Sequence, residues 1–369
     1  MTILLTILII ILLFILVVVL FMRRPEFGAA PTGARLQRMQ ASPNYTKGQF
    51  QNIHYTPQLA EGHSMLNVLY HFLFKKSKRA RPAKRLPSVK TNLSELPLTE
   101  NMLVWFGHSS YYMQLDGKRF LVDPVLSGSA SPIPGGSKSF PGSDIYTVND
   151  FPPLDYLVIS HDHYDHLDYK TVVQLKEKVT KVICGLGVGA HLGRWGYSPD
   201  QLIELDRNEA ANLEPGFTLH TTTARHFSGR SFKRNSTLWL SYVLQTPSLK
   251  IFIGGDSGYD THFAEIGKQF GPFDWAIIEN GQYNEAWHYI HMLPGEGLRA
   301  AKDLQTKNLL TVHHAKFVLA NHDWDEPLRT ISEECADDPS IRLATPMIGE
   351  PLYLSKEDQV FEKWWEEVG

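Results

Sequence analysis

The sequence predicts an α/β domain in which two mixed β-sheets pack face to face with helices outside them, preceded by an amino-terminal membrane-spanning helix. Three observations predict it. From about Leu96 onward short apolar runs recur, several in succession before each helical pattern, which suits packed sheets better than a regular βα alternation. The 369 residues are 43% hydrophobic, enough for a large core. Residues 2–22 form one apolar block without charge, Pro or Gly.

That block, TILLTILIIILLFILVVVLFM, would span about 30 Å as a helix, the thickness of a bilayer core. A cleaved signal peptide fits poorly: no Lys or Arg precedes the run, the run is too long, and no small-residue cleavage site follows at once. A buried soluble helix fits worse, because Leu and β-branched residues cover every face. Residues 1–24 are therefore expected to anchor the chain in a membrane. Arg23, Arg24, Arg35, Arg38 and Lys47 follow the span, so the positive-inside rule puts the body of the protein in the cytoplasm. Cys184 and Cys335 agree, since nothing in the sequence resembles a disulfide framework.

Charge is unevenly distributed. Residues 1–90 carry 13 Lys/Arg against Glu26 and Glu61, or +11, which leaves −14 of the net −3 for residues 91–369. A basic segment before an acidic body suits an anionic surface. The acidic body and the lack of a recognised nucleic-acid module argue against nucleic-acid binding. Residues 25–95 read as a basic linker or a wrapping arm, with Pro, Gly and Gln prominent over 23–64. Within it, MLNVLYHFLF (65–74) and the basic KKSKRARPAKR (75–85) could pack on the body, contact lipid headgroups or form a homodimer.

Residues 96–369 are expected to form the compact domain. Strands are expected at 102–107, 111–115, 119–123, 155–160, 181–185, 218–224, 237–246, 250–256, 274–279 and 309–314, from their β-branched and aromatic content. Asp116-Gly117 supplies a hairpin turn between the second and third. Helical patterns fall at 169–179, 261–270, 295–305 and 326–335, with Asp168 placed to cap the first and Pro294-Gly295 at the entrance to the third.

The chemistry is concentrated in SHDHYDHLD (160–168), directly after the apolar run LDYLVI. His161, His163 and Asp165 alternate, so an extended backbone would send their side chains the same way, and a turn would bring His166 round. Imidazole nitrogen and carboxylate oxygen are good zinc ligands at neutral pH. Four potential ligands this close exceed one ordinary tetrahedral site but could divide between two adjacent ions. The competing reading is a polar turn after a buried strand.

HDHYDH fits the His-x-His-x-Asp-His signature of the metallo-β-lactamase superfamily, and the chain resembles that family of dinuclear metallohydrolases. The resemblance implies an αββα sandwich and further ligands in order: His226 in TTTARHFSGR, the bridging Asp256 in IGGDSGY, and His313 in TVHHAKF. It implies one ion held by His161, His163 and His226 and another by Asp165, His166 and His313, with Asp256 between them. His314 is the lesser candidate beside His313, and Asp162 lies outside the ligand set. Gly254 and Gly255 would let the backbone approach the site. Two such cations lower the pKa of a bridging water and neutralise charge on substrate oxygens, so Cys184 is not needed as a nucleophile.

From about Leu96 to Tyr353 the chain is similar to the N-acylphosphatidylethanolamine-hydrolysing phospholipase D branch. The resemblance rests on VWFGHSSYYMQLDGKRFLVDPVLS (104–127), GGDSGYD, and above all WHYIHMLPGE (287–296). It implies two divalent ions, with zinc favoured by the His-rich set, a phospholipid substrate, and hydrolysis to phosphatidic acid and an N-acylethanolamine. His291, with the bridging Asp256, would be catalytic, and His108 would support the site from behind. ELDRNE (204–209) departs from the branch, where aromatic residues often follow ELD, and this leaves the acyl-chain pocket open. The alternatives are an anchored hydrolase of a soluble phosphodiester or lactone, and a non-catalytic metal-binding scaffold.

Overall fold

The computed structural model describes all 369 residues. The amino-terminal block forms a helix, α1 (Thr2–Met22), with no buried residue and with length and apolarity enough to cross a membrane. The chain then lies along the body as α2 (Gly33–Ala41), a hairpin of β1 (Tyr45–Thr46) and β2 (Gln49–Phe50), and α3 (Met65–Phe74). Met39 and Phe50 are buried in the same core as the sheets, and Arg35 pairs with Glu204 at 2.6 Å. Arg207, itself buried, donates to the Asn44 side chain and the Gln51 carbonyl. The ELDRNE departure is therefore a site of contact with residues 44–51.

Two seven-stranded sheets make up the body. The first contains β3 (Met102–Trp105), β4 (Tyr111–Leu115), β5 (Lys118–Val122), β6 (Leu154–Ile159), β7 (Val179–Gly185) and β8 (Leu202–Leu205), with the carboxy-terminal β16 (Pro351–Tyr353) beside β3. The second runs β9 (Ala210–Glu214), β10 (Phe217–Thr222), β11 (Ser241–Gln245), β12 (Lys250–Ile253), β13 (Phe273–Glu279), β14 (Thr306–Val312) and β15 (Arg342–Ala344). Both are mixed in the same way. Pairs β16/β3, β3/β4 and β4/β5 are antiparallel and β5/β6, β6/β7 and β7/β8 parallel. From β9 to β12 pairing is again antiparallel, and from β12 to β15 parallel.

Alternation along the strands creates four layers. Tyr111, Met113 and Leu115 of β4 face the core between the sheets, while Tyr112 faces outward into a second core with Val172, Leu175 and Leu192. Those last residues lie on α4 (Tyr169–Leu175) and α5 (Gly189–Arg194). In β13, Trp275 and Ile277 face the inter-sheet core, while Ala276 and Ile278 join Phe263, Leu298 and Ile331. The partners sit on α6 (His262–Phe270), α7 (Glu296–Asp303) and α8 (Glu326–Asp337). This is the helix–sheet–sheet–helix arrangement expected from the pattern of runs.

Some expectations need correction. The 237–246 run is strand only from Ser241, and the 169–179 pattern stops at Leu175, where a 3-10 turn leads directly into β7. Strands β8, β9, β15 and β16 had no counterpart in the pattern, being three to five residues long and partly polar at the sheet margins. Asp116 and Gly117 both adopt positive φ, 46° and 82°, as a two-residue hairpin requires.

Tyr242 of β11 donates its hydroxyl proton to the Ile159 carbonyl at 2.6 Å, linking the second sheet to the strand that leads into His161. Tyr242→Phe should lower stability by about 1–3 kcal/mol, because a buried acceptor loses its donor. The midpoint of urea unfolding reads the loss directly.

Candidate metal centre

The strand ends converge on one buried spot. His161 and His163 follow β6, Asp256 follows β12 and His313 follows β14, all parallel strands whose carboxyl ends open on the same side, while His226 follows β10. His161, His163, His226 and Asp256 offer ligand atoms that all lie within 4.8 Å of one another. So do His108, Asp165, His166 and His313. Asp256 reaches toward both groups: its Oδ2 lies 3.1 Å from His166 Nε2 and 3.6 Å from His226 Nε2, and its Oδ1 lies 3.2 Å from His313 Nδ1.

The donor set fits divalent metal. His161 Nε2 and His226 Nε2 point at His163 Nδ1 from 2.9 and 3.2 Å, three imidazole nitrogens turned toward one another. The far nitrogen of His226 faces the Ile290 carbonyl at 3.0 Å and that of His166 faces Asp123 at 2.8 Å. Each acceptor takes the Nδ1 proton and leaves the Nε2 lone pair aimed inward. His166 Nε2 and Asp256 Oδ1 are buried with no hydrogen-bond partner. Burial, reinforced by neighbouring histidines, holds His161 and His313 well below the usual imidazole range. His166 goes the other way: burial would lower it, but the Asp256 and Asp165 carboxylates outweigh burial and the net shift is upward. A bound cation would satisfy the same two carboxylates.

Backbone strain selects which side chains point in. His313 sits at φ 72°, a left-handed turn that separates it from His314. His314 instead turns toward the Thr311 carbonyl, 3.2 Å away. His108, at φ 53°, brings Nε2 to 2.9 Å from Asp165 Oδ2. A Cβ on Gly255 would lie 2.8 Å from Ser160 Cβ, so the close approach there needs glycine. Asp162 turns away from the cluster. It accepts from Gly229 N and faces His191, whose other ring nitrogen accepts from Ala29 N. Burial would raise the Asp162 carboxyl, but the His191 hydrogen bond and the charges of His191, His163 and Arg230 outweigh it, giving about 2. The Cys184 thiol is pushed well up by burial and lies outside the site.

Three contributors were not legible as site residues. Asp123, directly after β5, accepts from Ser160 N, Ser160 Oγ and His166 at 2.8, 2.5 and 2.8 Å. Its signal in the sequence is an acidic residue ending an apolar run before Pro124. Asn52 accepts from His226 N and donates to His226 O, and has no local signal at all. Glu279 ends β13 fully buried, with Oε1 3.5 Å from His291 Nδ1. Burial pushes Glu279 up to about 7 against the pull of His291. Burial would lower His291, but the Glu279 carboxylate outweighs it and the net shift is upward.

Above the cluster lies a groove of about 270 Å³, lined by His163, Asp256, His291 and His313 on one side. Leu59, Met65 and Val68 contribute another wall, so residues preceding the sheets help build the site. Phe227, Trp287, Ile290 and Leu319 make the rest largely apolar, with Arg234 as the basic group.

A family model described as a beta-lactamase superfamily domain matches residues 118–314. An uncharacterised protein of Mycobacterium tuberculosis is 37% identical over 317 residues, covering 84% of each chain. The N-acyl-phosphatidylethanolamine-hydrolyzing phospholipase D 1 of Caenorhabditis elegans is 29% identical over 238 residues, covering 60% of this chain and 65% of the relative. Igni18, a metallo hydrolase of Ignicoccus hospitalis, superposes with a TM-score of 0.53 at 19% identity, over 69% of this chain and 98% of its own. That last likeness is one of fold.

Two substitutions probe the supports. Asp123→Asn should weaken metal binding about 10- to 100-fold with the fold retained, read by competition with a chromophoric chelator. Asn52→Ala should cost about 1–3 kcal/mol by orphaning buried groups of His226. A thermal melt of the metal-free protein checks it.

Proposed function

The chain belongs to the beta-lactamase superfamily and is a metal-dependent hydrolase, and from that premise we propose that it is a phosphodiesterase acting on membrane phospholipid. The reading is hydrolysis of N-acylphosphatidylethanolamine to phosphatidic acid and an N-acylethanolamine. The observation that carries it is the groove: two adjoining ligand groups at its floor, His291 at its edge, and an apolar wall contributed by the segment that follows α1. The activity in the name of the Caenorhabditis elegans relative supports it.

In this reading His161, His163 and His226 would hold one ion and Asp165, His166 and His313 a second, with Asp256 available to both. Zinc is favoured by the number of imidazoles. Bound metal supplies Lewis acidity, which acidifies water and neutralises charge on phosphoryl oxygens. The chain supplies the rest. Asp123 and the Ile290 carbonyl fix His166 and His226, so the ligand nitrogens are oriented before substrate arrives. His291 hydrogen-bonds a phosphoryl oxygen or gives its proton to the departing alcohol. The apolar groove walls exclude water from the diester and accept the first carbons of a lipid.

We also read α1 as the anchor, with the body on the cytoplasmic side. The exposed apolar face of α3 supports lipid contact beside the groove: Leu66 is 81% exposed, Leu73 60% and Phe74 71%, just before Lys75, Lys76 and Lys78. Holding the enzyme at the bilayer raises the local concentration of a lipid substrate. The groove's size is the observation that favours a second reading. About 270 Å³ accepts a headgroup, not a whole lipid, and would equally suit a soluble phosphodiester or lactone.

Full-length protein in nanodiscs containing N-acylphosphatidylethanolamine, loaded with zinc, should release phosphatidic acid and N-acylethanolamine in equal amounts by mass spectrometry. A chelator should abolish release and zinc restore it. His291→Asn should lower kcat about 100-fold or more. Turnover of a soluble diester or lactone with none of the lipid would sink the phospholipase reading.

A further inference from the structure

We propose that Glu279 is a positioning residue for His291, its carboxylate holding the ring with Nδ1 inward so that Nε2 is presented to the groove as the proton donor for the leaving alcohol. The inference rests on the phosphodiesterase reading.

Glu279 is a fully buried carboxylate at the carboxyl end of β13 that is not part of any of the three groups of potential ligands, the third of which brings His291 together with Asp256 and His313. A buried carboxylate is costly unless something pairs with it. Other buried acids around the cluster have their partners: Asp123 has Ser160 and His166, and Asp162 has His191 and Gly229. Glu279 has no Lys or Arg within ion-pair range, and its one ionisable partner is His291, Nδ1 to Oε1 at 3.5 Å. Nδ1 in turn has no hydrogen-bond partner, so the two groups answer each other's deficit. The separation is longer than a formed hydrogen bond, as is common before substrate closes a site.

The backbone fixes this pairing from both ends. Glu279 Oε1 accepts from Met292 N at 2.8 Å and Oε2 faces Gly281 N at 3.4 Å, so one carboxylate ties the start and finish of the loop carrying His291. The ring is stacked on His313 at 5.0 Å between centroids, which restrains its tilt. With Nδ1 turned to Glu279, Nε2 is the nitrogen left for the groove that His291 lines. The step then balances. Water oxygen bonds to phosphorus, the bond from phosphorus to the alcohol oxygen breaks, and the Nε2 proton passes to that oxygen. The proton lost by the attacking water restores His291. The carboxylate beside Nδ1 decides which ring nitrogen faces the groove without adding a group that competes for the diester.

A loop clamp alone would explain Glu279 without any role in proton donation, and Glu279→Gln separates the two. The amide oxygen still accepts from Met292 N, but the charge facing Nδ1 is gone. The full-length zinc enzyme is assayed on two diesters of one phosphate, with an N-acylethanolamine and with p-nitrophenol as leaving group. The alkoxide needs a proton to depart and the phenolate does not. Glu279→Gln should lower the alkyl-to-aryl ratio of kcat about 100-fold, as should His291→Asn, with the double variant no lower than either. The ratio is independent of the folded fraction. If His291→Asn is selective and Glu279→Gln slows both diesters equally, Glu279 is only a clamp and the proposal is overturned. An unselective His291→Asn would refute proton donation by His291, and the proposal with it. A crystal structure of Glu279→Gln gives a readout free of turnover: the His291 ring should leave its orientation, and a ring held unchanged contradicts the positioning role.

Discussion

His161, His166, His226, Asp256 and His313 are buried, and His163 and Asp165 half-buried, at the ends of strands from both sheets, with nitrogen and oxygen lone pairs facing one another. Without a cation such an arrangement is repulsive and poorly solvated, so every neighbouring element has to hold it in place. The supports are short, buried and redundant. Asp123 grips both the backbone before His161 and the ring of His166. The Ile290 carbonyl fixes His226, and the left-handed turn at His313 aims the last imidazole. Positive φ at His108, Asp123, Gln282 and His313 gathers backbone strain around this one spot, where it is balanced by packing between the sheets.

The same demand explains why the two sheets pair as they do. Each changes from antiparallel to parallel partway across, and the parallel strands deliver their carboxyl ends to the common opening. Loops there are free to carry chemistry because the strands behind them are buried on both faces. The hydrogen bond from Tyr242 to Ile159 ties the last residue of β6 to the opposite sheet. Each ligand group draws residues from both sheets, so a shift of one sheet against the other would pull both groups apart.

The segment before the sheets is part of this device. Asn52 closes on the backbone of His226, His191 receives Ala29 N while facing Asp162, and Met65 and Val68 wall the groove. Asp162 thus ties residues near α1 to the loop that carries the ligands.

The sequence by itself determined whatever depends on near neighbours. The spacing in HDHYDH places four ligands within one turn of chain, residues 2–22 are apolar on every side, and Asp116-Gly117 can only be a tight turn. The αββα fold and the order of later ligands were legible by resemblance, because each follows a recognisable apolar run. Tertiary structure decided the rest. His313 was the ligand expected by resemblance, but the means by which it points inward while His314 turns away, a φ of 72°, is one that no spacing rule reveals. Asp123, Asn52 and Glu279 became site residues only when closure of the sheets brought them to His166, His226 and His291. The short margin strands took their form from partners already in place, since three to five residues hold too little local preference to specify a strand alone.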